Sequence, residues 1–570
     1  MQQSCVHRTV FSIVLILLFC LPQLVARGQG EFDEDYSITA NSIVYDGQYV
    51  YIAGSISNFQ DQSLVNPLDL SGGMDDMFLI KLSANGAPIF SAVIGGSNDD
   101  KAFSIAVDQG VVYLFGETWS TDFPRAPGNA GESDAVLCAI AADGSGLLWS
   151  RRIAGTDQES GRSVMSYNNK LYLTGITWSD NLGADAALGS SDGFLARVSF
   201  SGEVDWLRRF GGFGLDAPFD LTVAADSLWV GGQTFSRDFG GTLHGEGDAF
   251  AAQFSLAGEQ IIARVYGGSE DDLVFALSHD GEGGILMAGG TNSDDIKNAE
   301  GEFRGNFDAI TFHLNSDGEL ENAAYLGGDQ PEYGQDIIAL PGGDYFVIGW
   351  TESAVFSSSS GDQTSSHGLV DTFIVRVGRD GTQVVEKLIG GPNDDFAKAG
   401  VFVPEGLWLV GDFPNQGLGY ALLISSDIVG DIIGPTATAI APTATNAMTA
   451  TLAPTETPAP MSEYTPTSYA IQAMTGSSEP QVTVDDNKTD GESPTNEESA
   501  NALMASPTNG SNEVDASVID IPSANNETTS SDENHDKRQS GIVAGGIIIL
   551  IIALTSGSYY WLRRKKQQIE

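Results

Sequence analysis

Acidic and aromatic side chains recur along this sequence at spacings that could form a ligand-binding surface. The paired aspartates Asp99-Asp100 and Asp271-Asp272 each follow a glycine doublet. Trp119, Trp178 and Phe235 occupy the same position in three consecutive repeats. Carboxylates attract cationic groups and bind calcium where six or more oxygens converge, while aromatic faces stack on sugar rings or hold cations. These residues therefore predict an acidic and aromatic binding surface.

The same residues also fit a structural interpretation. Binding sites are usually irregular, whereas scaffold residues recur, and paired carboxylates can cap backbone N–H groups in a repeated turn. The aromatic residues would then be wedges between repeats. Calcium stays possible, but no Asp-x-Asp-x-Asp-Gly loop is present, so no cofactor is expected.

Motifs for catalysis are missing from the sequence. His244, His279, His313 and His367 are scattered without metal-binding spacing, and neither a Gly-x-Ser-x-Gly elbow nor a phosphate-binding loop occurs. Cys138 lies in an expected strand, where a small buried hydrophobe is favoured over a nucleophile. Carboxylates from several repeats could still assemble into a site. A carbohydrate-active lyase or hydrolase is therefore an alternative to a non-enzymatic binding protein.

The elements that carry these residues repeat with a period of about 60 residues. An apolar strand that ends in glycine, commonly followed by Thr-x-Ser, marks each repeat. Its copies are Val111–Gly116, Leu171–Gly175, Leu228–Gly232, Ile285–Gly290 and Tyr345–Gly349, with degenerate end copies at Tyr49–Gly54 and Leu407–Gly411. The chain therefore contains seven repeats.

Two further sequence markers recur with the same period. An aspartate opens another strand at Asp76, Asp134, Asp192, Asp248, Asp308 and Asp371. A Gly-Gly or Ala-Gly doublet closes each unit, followed by acidic residues at Asp99-Asp100, Asp157, Asp216, Asp271-Asp272, Glu332 and Asp394-Asp395. With glycine-bearing turns between them, four short strands form an antiparallel meander in each unit. Such units cannot bury both faces alone, so we predict an all-β, seven-bladed β-propeller over residues 36–433.

The meander also predicts which loops meet. If the strands of a blade are a to d, the loop from b to c and the connection from d to the next a emerge at the same end. The Thr-x-Ser loops and the acidic glycine turns should share one face, which we expect to be acidic. No extra N-terminal strand is expected to close the ring, and Asp427–Ile433 should be the outer strand of the last blade.

The repeat resembles the bacterial-type β-propeller repeat called SBBP. The most complete copy spans Gly95 to Val136 and includes Thr121-Asp122-Phe123-Pro124, and the resemblance extends over residues 36–430. It implies a propeller fold and an exported or surface setting. It implies no catalytic residues.

The ends of the chain predict membrane anchorage. Residues 1–28 have the features of a signal peptide, residues 435–540 form an acidic Pro/Thr/Ser/Asn-rich stalk that should be disordered, and residues 541–562 are apolar enough for one transmembrane helix. The basic tail at residues 563–570 should be cytoplasmic, which places the propeller outside. We therefore expect a single-pass cell-surface protein.

The net charge of the chain restricts the kinds of partner that it can bind. The formal net charge is -49 at pH 7, which opposes binding to nucleic acid. We expect a monomeric propeller that binds an extracellular glycan or protein in adhesion. A purely structural surface-layer component is a further alternative.

Overall fold

The structure is a computed structural model that describes residues 37–57, 72–128, 131–356, 364–365, 369–413 and 419–425. These residues form seven blade sheets and one separate two-stranded sheet, and the first strand of each blade sheet contacts the first strands of the two neighbouring blade sheets all the way around. The seven first strands thus surround a central axis. The predicted seven-bladed propeller is confirmed.

The first three blades each contain four strands in chain order. Blade 1 consists of β1 (Ser37–Tyr45), β2 (Tyr49–Ser57), β3 (Asp75–Ser83) and β4 (Pro88–Ile94). Blade 2 consists of β5 (Asp100–Asp108), β6 (Val111–Thr118), β7 (Asp134–Ala141) and β8 (Leu147–Ile153). Blade 3 consists of β9 (Glu159–Tyr167), β10 (Lys170–Thr177), β11 (Asp192–Val198) and β12 (Val204–Phe210).

The remaining blades follow the same pattern, with additions. Blade 4 consists of β13 (Asp216–Ala224), β14 (Ser227–Thr234), β15 (Asp248–Ser255) and β16 (Gln260–Tyr266). Blade 5 consists of β17 (Asp272–His279), β18 (Ile285–Thr291), β19 (Ala299–Glu300), β20 (Asp308–Leu314) and β21 (Leu320–Leu326). The short β19 pairs in parallel with β21 at the outer edge.

Blade 6 consists of β22 (Glu332–Ala339), β23 (Tyr345–Thr351), β26 (Asp371–Val377) and β27 (Gln383–Ile389). Between its second and third main strands, β24 (Val355–Phe356) pairs with β25 (Thr364–Ser365). Blade 7 contains β28 (Phe396–Val403), β29 (Gly406–Phe413) and β30 (Gly419–Ser425). Its expected outer strand, Asp427–Ile433, lies outside the described residues.

The strands of a blade differ in burial according to their position in the sheet. Second strands such as β6 and β10 are buried along nearly their whole length, whereas most residues of fourth strands such as β8 are partly or fully exposed. The core therefore lies between blades: Phe115 of blade 2 meets Phe194 of blade 3 edge to face, with ring centroids 6.5 Å apart. Cys138 is fully buried in β7, as the sequence predicted.

The ring closes by packing of blade 7 against blade 1. The indole N–H of Trp408 donates to the carbonyl oxygen of Ala84 at 3.0 Å, and Trp408 is fully buried within an apolar cluster shared by the two blades. The degenerate end copies of the repeat are the strands β2 and β29 and are therefore true second strands.

The anchoring elements expected from the sequence fall outside the described residues. They are the signal peptide at 1–28, the stalk at 435–540, the transmembrane helix at 541–562 and the cytoplasmic tail at 563–570. Within the part of the chain that the structure describes, no helix has the length and apolarity needed to cross a membrane.

Candidate functional site

One hydrogen-bonded unit joins the glycine turn to the Thr-x-Ser loop, as blade 4 illustrates. The carboxylate of Asp216 accepts the Gly212 N–H at 2.7 Å, the Ser236 hydroxyl at 2.7 Å and the Thr234 hydroxyl at 2.5 Å. The Ser236 oxygen in turn accepts the Gly214 N–H at 2.8 Å. The loop and the turn therefore lie on the same face, as predicted.

The unit repeats at the other glycine turns. In each, the sixth residue counted from the first residue of the doublet accepts the N–H of the second glycine. The distances are 2.7 Å for Asp100, 2.6 Å for Glu159, 2.8 Å for Asp272, 3.0 Å for Glu332 and 2.6 Å for Asp395. In blade 3 the sequence marker pointed to Asp157, which is exposed, and the buried acceptor is Glu159 instead. The longer glutamate reaches the same position.

A fourth polar position completes the unit. Asp122, Asp238 and Asp295 each lie two residues after the serine, and each accepts the N–H of the first residue after the glycine doublet at 2.7–2.9 Å. Asn181 plays this part in blade 3, accepting the Thr156 N–H at 2.8 Å. The unit therefore ties the turn that leads into a blade to the first strand of that blade and to the loop after its second strand.

The predicted acidic site residues divide into buried and partly accessible groups. Asp100 and Asp272 are fully buried, and burial raises the pKa of Asp100 to about 6 and that of Asp272 to about 7. Asp271 is also buried and accepts the Gly247 N–H at 2.9 Å, whereas Asp99 is only half-buried. The contacts of Asp100, Asp271 and Asp272 are those of the structural interpretation, in which the carboxylates cap backbone N–H groups.

The three predicted aromatic residues lie on the same face at the ends of successive second strands. Trp119 is 37% exposed, and Trp178 and Phe235 are half-buried. Their backbone N–H groups donate to the preceding glycine turns, on the carbonyl oxygens of Asp99, Gln158 and Leu215. The structure brings them into one arc over blades 2 to 4.

Sequence reasoning missed a fourth aromatic residue in this arc. Phe213 lies in the glycine turn between blades 3 and 4 and is 81% exposed. The third position of the other described turns holds Ser97, Thr156, Ser269, Asp329 and Pro392. An apolar ring at a solvent position that is otherwise polar or proline was the signal that could have found it.

The axis of the propeller is lined by a second set of residues that share no sequence motif. Every first strand has a β-bulge at the same point, and each bulge turns one side chain out of the pairing pattern. We call these side chains the bulge ring: Asn41, Phe103, Arg162, Phe219, Phe275, Gln335 and Lys398. The Arg162 guanidinium carbon lies 4.9 Å from the Phe103 ring centre and 5.9 Å from that of Phe219, which fills part of the axis with cation–π contacts.

An aromatic cluster packs beside the bulge ring on blades 5 to 7. Tyr333 stacks on Phe307 with centroids 4.5 Å apart and on Trp350 with centroids 4.7 Å apart, and Trp350 meets Phe396 at 5.4 Å. Phe307 and Phe396 are only half-buried. Only these two rings of the cluster are thus partly accessible, because Tyr333 and Trp350 are buried.

The described histidines do not form a catalytic or metal-binding group. His313 lies 3.2 Å from Asp280 in blade 5, whereas His244 is exposed near Asp248 in blade 4. Among the described residues, no three His, Cys, Asp or Glu side chains converge to hold a metal ion. The face offers aromatic stacking and hydrogen bonds, which suit binding.

The fold places this chain in the broad class of β-propeller proteins. No protein-family model matches the sequence. The regulatory protein FlaEY of Caulobacter vibrioides is 25% identical over 369 residues, which cover 58% of this chain and 38% of that protein. The chain thus spans less than half the length of this relative.

Three solved structures illustrate the fold neighbours. Hydrazine synthase of Kuenenia stuttgartiensis has a TM-score of 0.39 at 10% identity, covering 70% of this chain and 99% of its own. The β-propeller domain of the Trilobed protease from Pyrococcus furiosus has a TM-score of 0.37 at 10% identity, covering 67% and 92%. BamB from Moraxella catarrhalis has a TM-score of 0.32 at 12% identity, covering 70% and 98%. At these identities the neighbours carry no information on ligand or activity.

Proposed function

We propose that this chain is a non-enzymatic cell-surface binding protein whose propeller engages an extracellular glycan or protein. The observation that carries the proposal is the aromatic arc formed by Trp119, Trp178, Phe213 and Phe235 on one face. Exposed aromatic rings are costly in water and are typical of contact surfaces. The arc rests on turns held by repeated hydrogen bonds, so the rings are pre-organised.

Charge supports an uncharged or cationic ligand. The loops beside the arc carry exposed carboxylates, including Asp122, Asp157, Asp180 and Asp238. An anionic ligand would be repelled, whereas hydroxyl groups or ammonium groups would find acceptors. A neutral glycan or a basic protein segment therefore fits this face.

The cellular setting is part of the same proposal. The signal peptide at 1–28 and the apolar segment at 541–562 support a single-pass arrangement with the propeller outside, and the SBBP-like repeat agrees with export. Protease added to intact cells should then release the propeller by cutting between Pro435 and Ser540. An intact chain after treatment, with deglycosylated protein as the control, would contradict this arrangement.

Binding is tested on the full-length protein with a glycan array and with proteins extracted from the cell exterior. Trp119→Ala combined with Phe213→Ser should abolish the binding found for the parent while shifting the melting temperature by no more than a few degrees, because exposed side chains contribute little to folding. Leu148→Ser is the matched control, since Leu148 is a similarly exposed apolar residue on the outer strand β8. Equal binding by the double variant and the parent would exclude the arc as the site.

A further inference from the structure

Buried carboxyl groups meet in pairs at the seams between neighbouring blades. In each pair, the aspartate that opens the third strand of one blade faces the acidic residue of the glycine turn that leads into the next blade. The six pairs are Asp76 with Asp100, Asp134 with Glu159, Asp192 with Asp216, Asp248 with Asp272, Asp308 with Glu332, and Asp371 with Asp395. All twelve side chains are buried.

The first glycine of the turn shows how closely the two groups approach. A Cβ placed on Gly95 would lie 1.9 Å from Asp76 Oδ1 and 2.9 Å from Asp100 Oδ2. On Gly267 it would lie 2.4 Å from Asp272 Oδ2 and 2.8 Å from Asp248 Oδ1. At five of the six seams this position is a glycine whose Cβ would collide with a carboxyl group of the pair, and at the seam between blades 2 and 3 it is Ala154.

Two of the six seams contain an arginine. Arg152 donates to Asp134 at 2.6 Å, and Arg209 donates to Asp192 at 2.9 Å. Arg209 also donates to the carbonyl oxygens of Leu182 and Ser179. These two guanidinium groups neutralise one carboxylate in each of the seams between blades 2 and 3 and between blades 3 and 4.

Register identifies the residues that replace these arginines elsewhere. Arg152 lies opposite Val136 and Arg209 opposite Phe194 in the outer strand pair of their blades. The equivalent positions hold Val93, Val265, Tyr325 and Leu388, which lie opposite Phe78, Phe250, Ile310 and Phe373. Four seams thus have two buried carboxyl groups and no arginine at this position, and only weaker influences of arginine reach them, from Arg152 on Asp100 and from Arg304 on Asp308.

Two carboxylates cannot both stay ionised at short range in a buried site, so one of them binds a proton or a cation. The Oδ1 atom of Asp272 is buried and accepts no hydrogen bond of good geometry within the described residues, although its Oδ2 accepts from Gly268 and Ser293 and the nearby Thr291 hydroxyl lowers the pKa of the group. Burial, with a smaller contribution from the partner carboxylate, raises the pKa of Asp76 to about 7 and that of Glu332 to about 7.

We propose that the four seams without arginine each hold a proton between their two carboxyl groups near neutral pH, so that the propeller ring binds protons and loosens as the pH rises. The seams that contain Arg152 and Arg209 use a fixed cation in place of the proton. Proton loss would place two negative charges at each of the four seams. The effect would then act on the angle between blades, because the same carboxylates hold the glycine turns.

The sign of the pH dependence follows from the raised pKa values. Between pH 4 and pH 7 the paired carboxyl groups bind more protons in the folded state than in the unfolded state, so their contribution to the free energy of unfolding falls as the pH rises. At the seam between blades 4 and 5, other charged or titratable groups face the pair. His244 and Asp271 interact with Asp248, and Tyr325 interacts with Asp272. Around these groups, Glu246 and Glu270 act on Asp271, and Asp294 and Asp295 act on Tyr325. Most of these are acidic and favour the bound proton.

Asp272→Asn in the full-length protein tests the proposal, because the amide reproduces the protonated carboxyl group. Its nitrogen replaces Oδ1, which accepts no hydrogen bond of good geometry, and its oxygen keeps the contacts to Gly268 and Ser293. At pH 8 the variant should melt about 2 °C or more above the parent, and at pH 5 the difference should vanish. Infrared absorbance of protonated carboxyl groups at pH 7 should fall by one group.

Asp216→Asn is the matched control in a seam with arginine. Asp216 Oδ1 accepts the Thr234 hydroxyl at 2.5 Å, which an amide nitrogen would disrupt, and Asp192 is already neutralised by Arg209. This variant should melt no higher than the parent at pH 8. Val265→Arg offers a second route, since it should supply the missing cation and raise the melting temperature at pH 8. If Asp272→Asn melts at or below the parent at pH 8 with unchanged infrared absorbance, the seam holds no proton and the proposal is wrong.

Discussion

The Lys398 ammonium group donates to Asn41 Oδ1 at 2.8 Å, although the two residues are 357 positions apart in the sequence. Both belong to the bulge ring, and the Asn41 amide also donates to the Ala102 carbonyl oxygen at 2.8 Å. Asn41 thus connects blades 7, 1 and 2 along the axis. Burial lowers the pKa of Lys398 to about 8, which makes the amide oxygen an important partner for its charge.

Asn41→Ala should weaken the closure of the ring. The substitution leaves the Lys398 ammonium group and the Ala102 carbonyl oxygen without this partner, and a polar group left unsatisfied costs about 1–3 kcal/mol. Urea unfolding of the full-length protein, followed by tryptophan fluorescence, measures the loss. Gln48→Ala, which removes an exposed amide in the same blade, is the control, and equal stability of the two variants would contradict the assigned role of Asn41.

Gly95→Ala and Gly110→Ala separate crowding from backbone strain. A Cβ on Gly95 would collide with Asp76 and Asp100, whereas one on Gly110 meets nothing within 4 Å, although Gly110 has a φ of +74°. We expect a loss of about 3 kcal/mol for Gly95→Ala through overpacking and of about 1 kcal/mol for Gly110→Ala through left-handed strain. Thermal or urea unfolding gives the order, and the reverse order would show that the seam has room to relax.

Cys138 should report on opening of blade 2. Burial raises the pKa of its thiol to about 12, and the side chain is fully enclosed in β7. Alkylation with iodoacetamide should therefore be negligible in the native protein and complete in concentrated urea, because the thiolate is the reactive form. Mass spectrometry of the peptide that contains Cys138 measures the extent. Rapid labelling under native conditions would mean that blade 2 opens on its own.

Calcium should change the melting temperature only slightly. The carboxylates of the glycine turns are occupied by backbone N–H groups and hydroxyl groups, as for Asp216, and calcium needs six or more oxygen ligands. Thermal unfolding with and without millimolar calcium, with magnesium as the control, tests this. A large and saturable shift specific to calcium would show that the folded state binds the ion, and the turns would then be metal sites.

The arrangement of the blades could be predicted because the same turn and loop motifs recur along the sequence. The glycine turns recur at six positions and the Thr-x-Ser loops in five blades, and period and strand polarity place them on one face. The burial of Cys138 followed from its position in an apolar strand. These features depend on short stretches of sequence, which is why a single chain was enough to find them.

The buried acceptor in blade 3 was missed for a different reason. Glu159 differs in residue type from Asp100 and Asp216, and the sequence marker was assigned to Asp157, which lies closer to the Ala-Gly doublet. Counting six residues from the first position of each doublet would have identified Glu159, because the hydrogen bond depends on position in the turn. Spacing was thus more informative than residue type.

The bulge ring and the arginine seams had no sequence signal of this kind. Asn41, Phe103 and Lys398 share no chemistry, and only the β-bulges place them together. Arg209 reaches Asp192 from the neighbouring strand of its blade, at a position where blade 4 has Val265. Such relationships depend on strand register, which one-dimensional patterns do not specify.

The short strand β19 is relevant to how two copies of this chain could associate through their sheet edges. It covers part of the outer edge of blade 5, and β25 contacts the outer strand β27 of blade 6, whereas the described outer strands of blades 1 to 4 pair with no further strand. These uncovered strands also expose single apolar residues: Ile89, Leu148, Val204 and Ile261. Open edges of this kind favour sheet-to-sheet association between copies. The net charge of -49 keeps copies apart by mutual repulsion, so strong salt, which shortens the range of that repulsion, would remove the barrier to clustering.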